Sequence, residues 1–218
     1  KENSFDPVRD FAPVTMAASF PTVMFITASI PANSVREFIA LAKAKPQEFN
    51  YAMTSIGGSS HLASELFKTL AGANLTQIAY KSAGNANTDL LAGRVHVFFS
   101  APGPLMPHVK TGKLKALAVT SAKPSALLPD LPTVAATVPG YEMGSVYCLF
   151  APAKTPSAII NVLNREVVRV LKSPEAQEQL FNYGFEVVAS TAEELATMRR
   201  DDIARVTKLI KDAGIPIE

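Results

Sequence analysis

The sequence predicts an α/β fold in which mostly parallel sheets are flanked by helices. Three observations carry that prediction. Short runs rich in Val, Ile, Phe and Thr alternate with segments of helical periodicity along most of the chain. Helix-start and helix-stop signals fall between those runs. The 218 residues are 48% hydrophobic and 18% charged, an ordinary globular composition with enough apolar material for one large domain or two lobes.

The elements follow in order. "PTVMFITAS" (21–29) reads as a strand. Ser34 to Glu37 is an S-x-x-E capping box that opens a helix running through Lys45, and Pro46 lies just past its end. "FNYAMT" (49–54) is the next strand. "TSIGGSSHLASELF" (54–67) then passes through two glycines and two serines into an amphipathic helix ending near Leu70, with Gly72 as its stop. "LTQIAY" (75–80) is a strand and "NANTDLLAG" (85–93) a helix ended by Gly93. "RVHVFFS" (94–100) is a strand, "GPLMPHVKTG" (103–112) a short helix and "KLKALAVTS" (113–121) a strand. Such successive βα units call for a mostly parallel sheet with helices on both faces. A proline-rich loop follows through "PDLPTVAATVPGYE", then the strand "SVYCLFAPA" (145–153). Helices are expected at 157–172, 174–183 and 192–213, interrupted by the short strand "FEVVAS" (185–190). Thr191 and Glu194 form a second cap-x-x-Glu at the start of the last helix.

Charge and composition exclude several function classes. Lys plus Arg number 21 and Asp plus Glu 19, a net charge of +2, and "MRRDD" is the only basic cluster, answered at once by two aspartates. That is a solvated helix face and no nucleic-acid surface. The single cysteine, Cys148, makes no internal disulfide and no CxxC site. His61, His96 and His108 are not at metal-ligand spacing on any one element, so no metal and no cofactor are expected. No apolar run reaches the roughly 20 residues of a membrane span, so direct membrane insertion is not expected. "KENSFDPVRD" is polar from its first residue, unlike a signal peptide, and the missing initiator Met is read as a processed or truncated chain.

The stretch 54–67 is the candidate functional motif. A strand delivers the chain to the carboxyl edge of a parallel sheet, outside which ligands bind. Gly57 and Gly58 let the backbone approach a ligand closely. Ser59 or Ser60 is expected to cap the helix, whose first amides are unpaired and whose dipole favours an anion. A carboxylate or phosphate fits there, with the Thr54, Ser59 and Ser60 hydroxyls as further donors. A plain N-cap on a tight turn explains the same residues, and the residues alone leave both readings standing. No Lys-Ser/Thr pair follows the glycines and no G-x-G-x-x-G is present, which excludes the NTPase phosphate loop and the dinucleotide fingerprint. A Ser-dependent hydrolase would take Ser59 or Ser60 as nucleophile, His96 or His108 as base and Asp89 as orienter, but G-x-S-x-G is missing. His96, between Val95 and Val97, reads more simply as a strand residue facing a covering helix, and His108 as a surface residue beside Lys110.

Taken together, "FDPVRDFAPVT", "NYAMTSIGGSSHLASELFKTLAG", "YKSAGNANTDLLAGRVHVFF", "GKLKALAVTSAKPSALLPDLPTVA" and "LFAPAKTP" resemble the tripartite tricarboxylate transporter receptors, the Bug or TctC-type periplasmic solute-binding proteins. The resemblance covers nearly the whole chain in the family's order. It implies a type II periplasmic-binding-protein fold, a Venus flytrap of two α/β lobes closing on a small carboxylated ligand. It also implies a periplasmic location and delivery of the ligand to membrane permease subunits. On this pattern residues 1–27 with 146–218 form one lobe and 28–145 the other, with strands 21–29 and 145–153 as the hinge. The resemblance places Thr54, Gly57, Gly58, Ser59, Ser60 and His61 at the ligand, and the turn after strand 94–100, at Ser100 and Ala101, faces the same cleft. It implies no catalysis. A Ser-dependent hydrolase, or a ligand-sensing module feeding a signalling partner, are the alternatives.

Three departures from the family pattern carry expectations. Family members commonly begin with a further segment, about a third of the mature protein, bearing a Pro- and Gly-rich loop that meets the ligand's other end. The first lobe is therefore expected to be incomplete, with apolar surface left uncovered around "SVYCLFAP" and the helix from Ser157. Many members carry Asp where this chain has Ser100, so a plain carboxylic acid is expected in place of an amino acid. The aromatic common in the closing strand is replaced by Val146, a smaller apolar wall.

Overall fold

A computed structural model describes residues 5–215. The polypeptide divides into two compact units, residues up to Phe20 with Ser145–Thr207, and Pro21–Gly144 with Lys208–Ile215. In chain order the elements are β1 (Phe11–Phe20), β2 (Val23–Thr27), α1 (Val35–Ala44), β3 (Asn50–Met53), α2 (Ser59–Ala71), β4 (Thr76–Ala79), α3 (Ala83–Leu91), β5 (Val97–Ser100), α4 (Met106–Lys110), β6 (Leu114–Val119), β7 (Ser145–Pro152), α5 (Ser157–Leu171), α6 (Pro174–Asn182), β8 (Glu186–Val187) and α7 (Ala192–Asp212). The chain passes between the units at Phe20–Pro21, at Gly144–Ser145 and within α7.

In the larger unit the sheet order is β4-β3-β5-β2-β6. β3 is parallel to β4 and β5, while β2 runs antiparallel to both β5 and β6. Four strands thus share a direction and β2 opposes them. Strand–helix alternation does not encode this reversal, because the connection from β2 to β3 holds a loop as well as α1 and can deliver β3 in either sense. Both faces of the sheet are buried. Val23, Phe25, Ala52 and Phe98 pack with Ala86 and Leu90 of α3. Met24, Ile26, Tyr51, Met53, Val97 and Phe99 pack with Val35 and Phe38 of α1 and with Ala63, Leu66 and Phe67 of α2. Side chains of a strand alternate between faces, so a sheet covered on both sides buries every residue of β2.

The caps fix where the helices begin and end. Ser34 Oγ accepts from the Glu37 amide at 3.2 Å, and the Glu37 carboxylate accepts from the Asn33 amide at 2.7 Å. At α7 the box is reciprocal: Thr191 Oγ1 accepts from the Glu194 amide at 3.1 Å, and Glu194 Oε2 from the Thr191 amide at 2.8 Å. Gly72 ends α2 in the left-handed region at φ 62°, its N–H donating to the Lys68 carbonyl. α3 begins earlier than the expected Asn85 because Ser82 Oγ accepts from the Asn85 amide at 3.2 Å, which caps the helix at Ser82.

The smaller unit carries the sheet β7-β1-β8, antiparallel throughout. β1 was not among the expected strands. "FAPVTMAASF" is alanine-rich and contains Pro13, so it shows little alternation, and its register against β7 shifts between Pro13 and Thr15 and between Met16 and Ala18. Pairing with β7, remote in sequence, makes it a strand. β8 keeps only two residues of the strand expected over 185–190, because Ala189 at φ 52° leaves the extended region. Ser190 then replaces the ladder with side-chain bonds: its Oγ accepts from the Met16 amide at 2.8 Å, and its carbonyl accepts from Thr15 Oγ1 at 2.7 Å and Asn164 Nδ2 at 2.9 Å. α5 packs on the sheet, with Ile160 against Val14 of β1 and Ala151 of β7. Val146, Tyr147 and Leu149 of β7 and Ile159, Val162 and Val170 of α5 stay exposed, which is the uncovered apolar surface expected there.

Candidate functional site

The strand register decides which residues meet at the sheet edge. Tyr51 stands opposite Val97 and Met53 opposite Ala79, so Thr54, Tyr80 and Ser100 are level at the carboxyl ends of β3, β4 and β5. β2 enters at the same edge, with Val23 opposite Ser100. Outside this edge lie the turn 54–58 that leads into α2, the turn after Ser100 that begins with Ala101, and the start of α3.

The turn before α2 is built from short bonds. The Gly58 amide donates to the Ser55 carbonyl at 3.1 Å, and Gly57 occupies the left-handed region at φ 72°. That conformation suits glycine because a Cβ would crowd the following carbonyl. The helix cap differs from the expectation: neither Ser59 nor Ser60 is the N-cap. Gly58 is, without a side-chain cap bond, and both serines belong to the first helical turn. Two consequences follow. The first intrahelical bond at this end runs from the Leu62 amide to the Gly58 carbonyl at 2.9 Å, so the amides of Ser59, Ser60 and His61 precede it, and no cap side chain covers them. The two serine hydroxyls also part company. Ser59 is exposed. Ser60 is buried and its Oγ accepts from the Thr54 amide at 3.3 Å. His61 is buried too, and its Nδ1 accepts from the Gly57 amide at 3.0 Å.

These features are the ones that anion binding by backbone chemistry uses. Three uncovered amides at the positive end of a helix dipole face the edge where the parallel strands end. Thr54 and Ser100, both half-buried, add hydroxyls at the same level. Tyr80 and Ser82 lie at this same edge, Tyr80 level with Thr54 and Ser82 as the cap of α3. Burial raises the Tyr80 phenol above its ordinary value, and its hydroxyl donates to Asp89 Oδ2 at 3.1 Å.

The hydrolase constellation does not assemble. Asp89 receives Tyr80 and also pairs with Arg94 at 3.0 Å. His96 Nδ1 lies 3.2 Å from the Asn50 amide, which donates to it, and desolvation lowers the pKa of the ring. His96 is thus level with Asn50, at the opposite end of β3 from Thr54. Four residues of parallel strand separate these levels by about 13 Å. His108 lines a surface cavity of about 500 Å³ at that far edge with Thr27, Ser29, Gly93 and Lys113, and none of the expected site residues lines it. Among the described residues no group of three or more His, Cys, Asp or Glu side chains could hold a metal ion, and no helix is long and apolar enough to cross a membrane.

A reversed-strand α/β sheet with an uncovered helix N-terminus at its carboxyl edge, in a chain that also builds a second α/β unit, is the architecture of the periplasmic binding proteins. The chain belongs to the tripartite tricarboxylate transporter receptor family, TctC, whose sequence model matches residues 1–215. Among curated relatives, BugT of Bordetella pertussis is 30% identical over 97% of this chain and 65% of its own length. Among solved structures, R. palustris Rpa4515 with adipate is 36% identical over 97% of this chain and 71% of that one, with a TM-score of 0.81. MatC (Rpa3494) from Rhodopseudomonas palustris with bound malate is 25% identical over 96% and 73%, with a TM-score of 0.76. The chain spans 61%, 64% and 65% of the length of three curated relatives it matches.

Proposed function

We propose that this chain is part of a periplasmic receptor that captures a small carboxylic acid and passes it to the permease subunits of a tripartite tricarboxylate-type transporter. One observation carries the reading: glycine at the N-cap of α2 leaves the amides of Ser59, Ser60 and His61 uncovered at the carboxyl edge of the sheet. The adipate and malate bound to the two R. palustris neighbours supply the ligand class. In this reading the carboxylate lies on those three amides. The Thr54 and Ser59 hydroxyls donate to it, Gly57 gives it room while the place of a Gly58 side chain is taken by Ser55 Oγ, and Ser100 and Ala101 bound the space on the β5 side. Ser60 and His61 contribute through their backbone N–H groups, since their side chains are engaged within the turn. Ser100 offers no negative charge to an ammonium group, so the ligand is a plain mono- or dicarboxylic acid. The reading takes the two compact units as its lobes, residues up to Phe20 with Ser145–Thr207 and Pro21–Gly144 with Lys208–Ile215. The division expected from the sequence, 1–27 with 146–218 and 28–145, shifts at both places because β2 pairs with β5 and β6 in the larger unit and the end of α7 belongs to that unit as well. It requires no chemistry, metal or cofactor.

A ligand panel tests this. Adipate, malate, aspartate and glutamate are titrated against the protein by NMR, with a chromogenic ester assayed in parallel. Binding of adipate or malate above the amino acids, and no ester turnover, is the expected result. Preference for aspartate or glutamate removes the inference from Ser100. Turnover lost in Ser59→Ala overturns the receptor reading.

A further inference from the structure

We infer that His61 is a positioning residue, which holds the anion-binding turn through Gly57 and does so as an uncharged acceptor. The inference rests on the proposed carboxylate reading and adds a role for a side chain that never meets the ligand.

The argument starts from Gly57. Its φ of 72° is one of several conformations open to glycine, and nothing lies within 4 Å of where its Cβ would stand. Packing therefore does not hold it. What holds it is the bond from its own amide to His61 Nδ1 at 3.0 Å, next to the bond from the Gly58 amide to the Ser55 carbonyl at 3.1 Å. His61 itself is fixed, at 3% exposure in the first turn of α2. The neighbouring Ser60, 5% exposed, ties the other end of the turn through the Thr54 amide. Two buried side chains of the helix thus reach back and clamp the loop before it, and the amides of Ser59, Ser60 and His61 are left without a side-chain cap bond.

The residue type follows from the site's charge preference. His61 is the third helical residue, counted from Ser59, where a capping box places Glu or Gln to reach back to the N-cap amide. His61 reaches one residue further, to the Gly57 amide, because the Gly58 amide is taken by the Ser55 carbonyl. A glutamate reaching back from this position would set its negative charge against the same helix terminus that is to receive a carboxylate. Neutral imidazole supplies the acceptor without the charge. Because Nδ1 accepts, the proton sits on Nε2. The side chain that matches this chemistry without being ionisable is asparagine, whose Oδ1 falls near the place of Nδ1.

The test uses the protein and its His61→Asn and His61→Ala variants, with adipate and malate as probes. Long-range proton–nitrogen NMR reads the imidazole tautomer, hydrogen exchange reads the Gly57 amide, and thermal unfolding is followed alongside. The Nε2–H tautomer and a protected Gly57 amide are expected in the parent. His61→Ala is expected to lose that protection and raise the dissociation constant up to about tenfold, the effect of one neutral hydrogen bond. His61→Asn is expected to keep both within about twofold, a rescue that general loss of core packing would not show. An Nδ1–H tautomer, unchanged affinity in His61→Ala, or failure of His61→Asn to restore binding overturns the proposal. If His61→Ala does not fold, the tautomer and His61→Asn decide. If the parent binds neither probe, the carboxylate reading falls, and the tautomer with Gly57 exchange still decides whether His61 clamps the turn.

Discussion

Replacing Ser59 by proline removes one backbone donor from the proposed site and leaves the helix in place. Ser59 is the first residue of α2, and its amide makes no hydrogen bond among the described residues. Proline is well tolerated at the first helical position, where the N–H has no intrahelical partner to lose. The residue before a proline must be extended, and Gly58 already is, at φ −71° and ψ 166°. Stability should therefore hold, or rise by up to about 1 kcal/mol as the unfolded chain loses freedom. Binding should not hold. A hydrogen bond to a charged group contributes about 1.5–3 kcal/mol, so its loss raises the dissociation constant about 10- to 150-fold. Ser59→Ala is the companion variant, since it deletes the hydroxyl and keeps the amide. Parent and variants are titrated with adipate and malate by NMR, which reads dissociation constants into the millimolar range, and urea unfolding is recorded on the same samples. Unchanged affinity in a folded Ser59→Pro variant would show that the amide does not face the ligand. A Ser59→Pro protein that fails to fold would refute the assignment of the helix start.

Other perturbations test the fold around the site. Tyr51 is buried with its hydroxyl bonded to the Glu65 carboxylate, which also pairs with Lys68 at 2.7 Å, so Tyr51→Phe should cost about 1–3 kcal/mol in urea unfolding. Desolvation lowers the pKa of His96 in the folded state below its unfolded value of about 6.5. Below that pH the unfolded chain binds more protons, so this contribution to stability is complete above it and is lost as pH falls toward the folded value; His96→Asn should flatten that slope in unfolding experiments across the acidic range. Burial pushes the Cys148 thiol above its ordinary value, so iodoacetamide should label the native protein more slowly than the urea-unfolded protein at neutral pH.

The sequence by itself determined the local order of this protein. The alternation of β-rich runs with capped helices located the strands of the larger unit and the start of α1 at Ser34, because propensity and capping act within a few residues. The same local chemistry marked the Gly-Ser turn before α2 as the anion candidate. Tertiary structure decided what depends on partners remote in the chain. The direction of β2 is set by which strands flank it, and β1 became a strand only by pairing with β7. The site changed for the same reason. Both serines read as caps, yet Gly57 and Gly58 extend the turn so that Gly58 is the cap and the first helical turn includes Ser59 and Ser60. Whether a hydroxyl donates to a ligand or accepts from its own backbone is then a matter of burial. Ser60 and His61 turn inward to bind the Thr54 and Gly57 amides and Ser59 faces outward, a division that spacing in the sequence does not carry because it arises only when the helix is seated on the sheet.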